Sequence, residues 1–357
     1  MKNFFSSKVG IIFTGAVIGL IAVTLQKLGN PANMGICVAC FERDIAGALG
    51  FHRADVVQYI RPEIAGLVLG SFVVALFTKE YQPRAGSSTI IRFFLGMFAM
   101  IGALVFLGCP WRALLRLSGG DWNAVTGLAG LAAGIGIGVL FLKKGFSLGR
   151  NYKLKKSAGW VFPALMLVLV IMLIYQVRAQ SGLLFLSAKG PGSMHARITV
   201  SLAAGLFIGA IAQRSRFCTM GSIRDIMLAK DFHLVSGVLA LVAAATALNF
   251  VYGQFHPGFA NQPIAHTVHI WNFGGMVLSG LAFALAGGCP GRQLIMSGEG
   301  DSDSAVFVVG MIVGAAVAHN FLLASSAAGT GKFGPAAVII GIVFCLIIGF
   351  TMREKVS

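Results

Sequence analysis

Four of the six cysteines of this chain occur in two settings, each present twice. "CVACFERDI" begins at Cys37 and "CTMGSIRDI" at Cys218, both reading Cys-x5-Arg-Asp-Ile. "GCPWRALLRLSGGD" ends at Asp121 and "GCPGRQLIMSGEGD" at Asp301, both reading Gly-Cys-Pro-x-Arg-x8-Asp. A thiol offers a polarizable sulfur and a weak S–H donor suited to a soft anion, and a thiolate exchanges with sulfur or selenium electrophiles. A lone cysteine in a membrane helix packs as a small hydrophobe, and Cys345, outside both motifs, takes that reading. Cys37, Cys109, Cys218 and Cys289 are different: each stands near an arginine, and two precede a helix-breaking proline, Pro110 or Pro290.

The arginines at fixed distances from these cysteines are Arg43, Arg112, Arg224 and Arg292. Arginine deep in a membrane is costly and either pairs or faces an aqueous path. Asp44, Asp121, Asp225 and Asp301 are the natural partners, so scaffold salt bridges and attraction of anions toward the thiols are both open. Neighbours on a helix do not face each other, which predicts that Arg43 and Asp44 pair with another helix or across a pseudo-two-fold axis relating the two occurrences of the motif.

Cys37 and Cys40 form C-x-x-C, a redox or metal pattern, but the second half has Gly221 where the first has Cys40. No histidine cluster with zinc spacing accompanies it, and neither metal nor cofactor is expected. His256, His266 and His269 read as a solvated loop cap. "GTGKF" at 329–333 lacks the upstream glycine and the Ser/Thr of a phosphate loop, so ATP hydrolysis is not expected.

The elements that must hold these residues are membrane helices. Of 357 residues 57% are hydrophobic and 11% charged, with a mean hydropathy of +0.83, the profile of an all-α polytopic membrane protein. The net charge of +16 reads as basic loops meeting anionic lipid rather than nucleic acid. Six cysteines in apolar surroundings do not make a disulfide framework. Spans are expected near 9–28, 62–78, 90–108, 123–142, 159–177, 197–213, 234–252, 271–288, 304–324 and 334–351, some shorter and re-entrant. The opening apolar stretch reads as a retained first helix rather than a signal peptide. The loop 143–156 carries six Lys/Arg, which places it and both termini in the cytoplasm of a multi-pass protein, with 18 of the 28 basic residues on that side.

The cysteines of the two motifs are 72 residues apart in the first half and 71 in the second, so the chain contains itself twice. Residues 1–142 form the first repeat, 143–196 a basic loop and connecting helix, and 197–357 the second repeat with a C-terminal helix. An odd number of spans separates equivalent positions, so the copies are inverted. Inverted repeats place a substrate site near the midplane at broken helices, where irregular backbone is tolerated because protein lines it.

With these motifs the chain resembles the YeeE/YedE sulfur-transport membrane proteins over Cys37 to Asp301. The resemblance implies inverted halves with cysteines along a central path, Cys109 and Cys289 as a central relay pair flanked by Cys37 and Cys218, and uptake of thiosulfate. Pro and Arg after both central cysteines, together with Cys40, are more similar to the YedE-related subgroup of selenium metabolism. The expected function is therefore a permease for a small sulfur- or selenium-containing anion in the inner membrane of a prokaryote, with room for a cytosolic sulfur or selenium carrier. The alternatives are a thiosulfate importer of the same fold and a membrane thiol oxidoreductase using Cys37 and Cys40.

Overall fold

A computed structural model describes residues 4–179 and 182–353. The chain ends expected in the cytoplasm, residues 1–3 and 354–357, lie outside the described residues. Long apolar runs become helices because hydrocarbon supplies no partner for backbone N–H and C=O groups, so each segment must pair its own. In chain order the helices are α1 (Lys8–Lys27), α2 (Val38–Ala48), α3 (Pro62–Phe77), α4 (Thr89–Phe106), α5 (Pro110–Ser118), α6 (Asn123–Lys143), α7 (Val161–Ala179), α8 (Ile198–Ser215), α9 (Thr219–Ala229), α10 (His233–Val251), α11 (His269–Ala286), α12 (Pro290–Gly298), α13 (Ser302–Asn320) and α14 (Gly334–Thr351). The protein is an all-α, multi-pass membrane protein. Among the described residues nine helical segments are long and apolar enough to cross a membrane, and α3, at 16 residues, is a shorter apolar helix.

Every expected span is a helix, and four short helices, α2, α5, α9 and α12, lie between them. The Gly-Cys-Pro motifs break the chain as their residues dictate. α4 stops at Phe106, Leu107 turns left-handed at φ 66°, and α5 restarts with Pro110 at its first position. In the second half Gly287 takes the turn at φ 85° and Pro290 opens α12. Proline fits there because the first helical N–H has no intrahelical partner to lose. Leucine at a position that favours glycine is the more strained of the two turns.

The packing respects an exchange of the halves. α1 lies along α10 as α8 lies along α3, and α4 along α13 as α11 along α6, with α4 and α11 meeting at the centre. At that central contact Gly102 packs on Gly275 so closely that a Cβ on either would strike the other's carbonyl oxygen. Ser279 Oγ donates to the Ala99 carbonyl at 3.0 Å. Residue numbers thus rise on one helix as they fall on the other, so α4 and α11 are antiparallel and the two Gly-Cys-Pro breaks sit at opposite ends of the pair. Small residues at such crossings let backbones approach where lipid gives no hydrophobic drive to helix association. Outward faces carry exposed apolar side chains, among them Leu165 and Ile171 on α7 and Ile340 and Ile347 on α14, as contact with lipid requires.

The loop 143–156 is tied to the loop before α4. Its strand β2 (Tyr152–Lys153) pairs antiparallel with β1 (Arg84–Ala85), and Leu154 N–H donates to the Pro83 carbonyl at 2.9 Å. Arg84 in turn binds Asp301 at 2.6 Å, so this basic surface closes over the end of α12.

Candidate functional site

Each cysteine of the two motifs caps a helix. Cys37 stands at the N-cap of α2, its Sγ accepting from the Cys40 N–H at 3.3 Å. Cys218 does the same for α9, accepting from the Gly221 N–H at 3.2 Å. The same cap thus forms with or without a second cysteine in the turn. Cys109 and Cys289 hold the N-caps of α5 and α12.

The folding of each half brings its own two cysteines together. Cys37 Sγ lies 3.8 Å from Cys109 Sγ, and Cys218 Sγ 3.7 Å from Cys289 Sγ. All four are buried free thiols; a disulfide would need about 2 Å between the sulfurs. Two helix N-termini therefore converge on each thiol pair, with positive dipole ends and unpaired N–H groups of the kind that receive anions. No thiol contact joins Cys109 to Cys289 among the described residues; the ring of Trp111 lies between their helices, against Gly291.

The arginines divide in a way their spacing does not show. Arg112 is wholly buried and has no ion pair among the described residues. It donates instead to backbone carbonyls, those of Leu107 and Ile264 (3.0 Å) and, at 3.4 Å, those of Asn33 and Pro263. Its Nη1 also stands 3.8 Å from Cys40 Sγ. Asp121, the expected partner, binds Arg116 at 2.6 Å. Arg292 pairs with Glu299 at 3.1 Å rather than with Asp301, which goes to Arg84 and caps α13 by accepting from the Ser304 N–H. Asp121 and Asp301 end the short helices, and the nearest guanidinium reaching back to each is not the one that follows the cysteine.

The expectation that Arg43 and Asp44 seek other helices is corrected. Arg43 Nη2 curls onto Asp44 Oδ1 at 2.7 Å, and Arg224 Nε onto Asp225 Oδ1 at 2.8 Å. The spacing rule concerns Cβ directions, whereas a guanidinium on a long flexible stem can fold back to the adjacent carboxylate. Asp44 also has a partner from elsewhere, Arg61, at 2.7 Å. His266 is likewise not a solvated cap: it is buried, with Nε2 2.8 Å from the Val105 carbonyl oxygen. Among the described residues no group of three or more metal-ligating side chains gathers.

Arg61, Arg116 and Glu299 were invisible to the motif reading, although Arg116 and Glu299 lie inside the Gly-Cys-Pro segments. Glu42, fully buried with neither carboxylate oxygen hydrogen-bonded, was missed too; its signal is a carboxylate beside Arg43 in an otherwise apolar helix.

Cavities open toward each half. One of about 390 Å³ is lined by Arg43, Leu107, Ile264 and His319, and one of about 190 Å³ by Arg224, Gly287, Arg92 and Ser87. Arg43 and Arg224 are equivalent under the exchange, as are Leu107 and Gly287. The cavities therefore mark the two ends of the antiparallel α4–α11 pair.

Beside the second pair the charges form a chain. Glu299 binds Arg292 and Arg216, Arg216 also binds Glu80, and Glu80 binds Arg214. Burial works to raise the pKa of Glu80, in the loop after α3, but the Gln213 hydrogen bond and the charges of Arg216 and Arg214 outweigh it and leave it lowered. A lowered folded-state pKa gives stabilisation that is complete above the unfolded value, about 4.3, and is lost as pH falls through the folded value. The melting temperature of the purified protein should therefore show no loss from this group between about pH 5 and 8. Glu80→Gln should remove part of the decline below that range; an identical acid limb in the variant would refute the assignment.

No curated protein matches the chain. Residues 214–348, which hold Cys218, Arg224, Cys289 and Arg292, match the family model described as Sulphur transport, so the second half of the chain is similar to that family.

Proposed function

We infer that the protein is a permease for a small sulfur- or selenium-containing anion, with Cys37, Cys109, Cys218 and Cys289 as relay sites. The observation that carries this reading is the pair of thiol contacts, 3.8 and 3.7 Å, each at the meeting of two helix N-termini. An anion there meets polarizable sulfur, weak S–H donors and backbone N–H groups, without a metal and without forming a bond. Conduction needs sites that hold the substrate weakly enough to release it, which such contacts satisfy. Arg43 and Arg224 line the two cavities, each already paired with its neighbouring aspartate, so the attraction of anions rests more on Arg112, which is buried without a carboxylate partner among the described residues and adds positive charge beside the first pair.

The orientation that goes with this reading has the 143–156 loop and both termini in the cytoplasm of a prokaryotic inner membrane, so the first thiol pair faces outward and the second inward. Selenium metabolism is the favoured destination, with thiosulfate import by the same path as the alternative and a cytosolic sulfur or selenium carrier as the acceptor. One observation favours a second reading. Cys40 lies in the first turn of α2 with its thiol 3.8 Å from Arg112 Nη1, a setting in which a C-x-x-C pair could act as a thiol oxidoreductase.

Purified protein in proteoliposomes, given labelled thiosulfate and selenite in parallel, tests both. The permease reading expects flux of one species that disappears in the Cys109/Cys289 double alanine variant and survives in Cys40→Ser. Loss of activity in Cys40→Ser, with a redox cycle at Cys37 and Cys40, would move the function to the oxidoreductase.

A further inference from the structure

Inside Gly-Cys-Pro-x-Arg the two halves differ at the variable position, tryptophan at 111 and glycine at 291. These positions are equivalent under the exchange of halves, and they meet. A Cβ built on Gly291 would lie 2.7 Å from Trp111 Cζ2, so the indole fills space that no second side chain can share. Phe217 also packs against it, edge-on at 6.0 Å between ring centroids. Phe217 immediately precedes Cys218, Trp111 follows Cys109 by two residues, and Gly291 follows Cys289 by two. One ring therefore touches residues that neighbour both cysteines of the second pair in sequence while itself following Cys109.

Trp111 is only 2% exposed, yet its indole N–H has no hydrogen-bond partner among the described residues. Buried indole N–H groups ordinarily find one, and leaving one unmet costs stability. Neither Gly291 nor Phe217 brings an acceptor side chain.

We propose that Trp111 is the central selectivity element of the path, its indole N–H donating to an oxyanion of sulfur or selenium in passage between the thiol pairs while its ring closes the path to other solutes. Gly291 serves this by leaving the ring room to shift. The proposal rests on the permease reading and adds a residue that is neither a cysteine nor an arginine. No bond is made or broken; the step is the transfer of an anion between hydrogen-bond donors.

Two measurements test it. In detergent-solubilised protein labelled with 15N at tryptophan, the indole signal absent from Trp111→Phe should shift when thiosulfate or selenite is added. In proteoliposomes Trp111→Phe, which keeps a ring and loses the N–H, should lower cysteine-dependent flux about tenfold, the loss of one hydrogen bond to a charged group. Trp111→Ala should instead admit sulfate, and Gly291→Ala should slow flux by blocking the ring while its N–H remains. An unmoved indole signal together with wild-type flux and selectivity in Trp111→Phe would overturn the proposal and leave the cysteine path standing. A shifted indole signal in a protein without cysteine-dependent flux would support the donor role and defeat the permease reading instead.

Discussion

Cys109→Ala and Cys289→Ala are each expected to reduce anion uptake to background in proteoliposomes while leaving expression and melting temperature close to wild type. The size follows from what the thiols supply. A hydrogen bond to a charged group contributes about 1.5–3 kcal/mol, and about 1.4 kcal/mol is a factor of ten, so loss of one S–H contact slows passage by roughly 10- to 100-fold. Alanine also leaves its partner, Cys37 or Cys218, facing a methyl group across a gap that was 3.8 or 3.7 Å between sulfurs. The fold should survive because neither Cys109 nor Cys289 makes a side-chain cap hydrogen bond; the helices start on Pro110 and Pro290 instead. Cys37 and Cys218 differ, since their sulfurs do cap α2 and α9, and serine is the informative replacement there. It keeps a cap acceptor and removes the soft sulfur, so a loss of uptake without a loss of stability would separate the two roles. Wild-type rates in either alanine variant would end the relay.

The parts of the fold legible in the sequence are those governed by local chemistry. Apolar runs must be helices in lipid, a proline one residue past a cysteine must start a helix rather than continue one, and paired motifs at nearly constant spacing must be repeated structure. The charge pairing was not legible because it is settled by tertiary folding. Arg61 reaches Asp44 across 17 residues, and Arg84 reaches Asp301 across 217. Arg112 illustrates why residue type alone misleads: its position beside a cysteine suggested an acidic partner, yet its guanidinium is spent on the carbonyls of a broken helix end and a loop. A planar group with five donors can hold several backbone oxygens at once, and the break at Leu107 supplies one of them. The Trp111–Gly291 contact was legible in principle, because a position lying on a two-fold axis meets its own equivalent and cannot be large twice. It needed the structure to show that this position lies there.

The two halves also differ in the charge beside their thiol pairs. Arg112 and Arg292 are equivalent, but Glu299 has as its equivalent Gly119, so the first thiol pair lies beside an arginine with no carboxylate partner among the described residues and the second beside one paired with a glutamate that it shares with Arg216. An anion moving from the first pair to the second leaves the stronger positive field for the weaker, which favours release. Glu299→Gln should erase that difference. The side chains of Arg292 and Glu299 are 11% and 6% exposed, and removing one partner of a buried pair costs about 3–5 kcal/mol, less here because glutamine can still accept a hydrogen bond. Uptake measured against substrate concentration should then show a lower KM and a maximal rate reduced about tenfold, as tighter holding at the inner site slows release. Arg292→Gln in the Glu299→Gln background removes the exposed charge and should restore much of the maximal rate. A raised KM with an unchanged maximal rate would mean that Glu299 only props up the loop that carries Arg216 and that release is governed elsewhere.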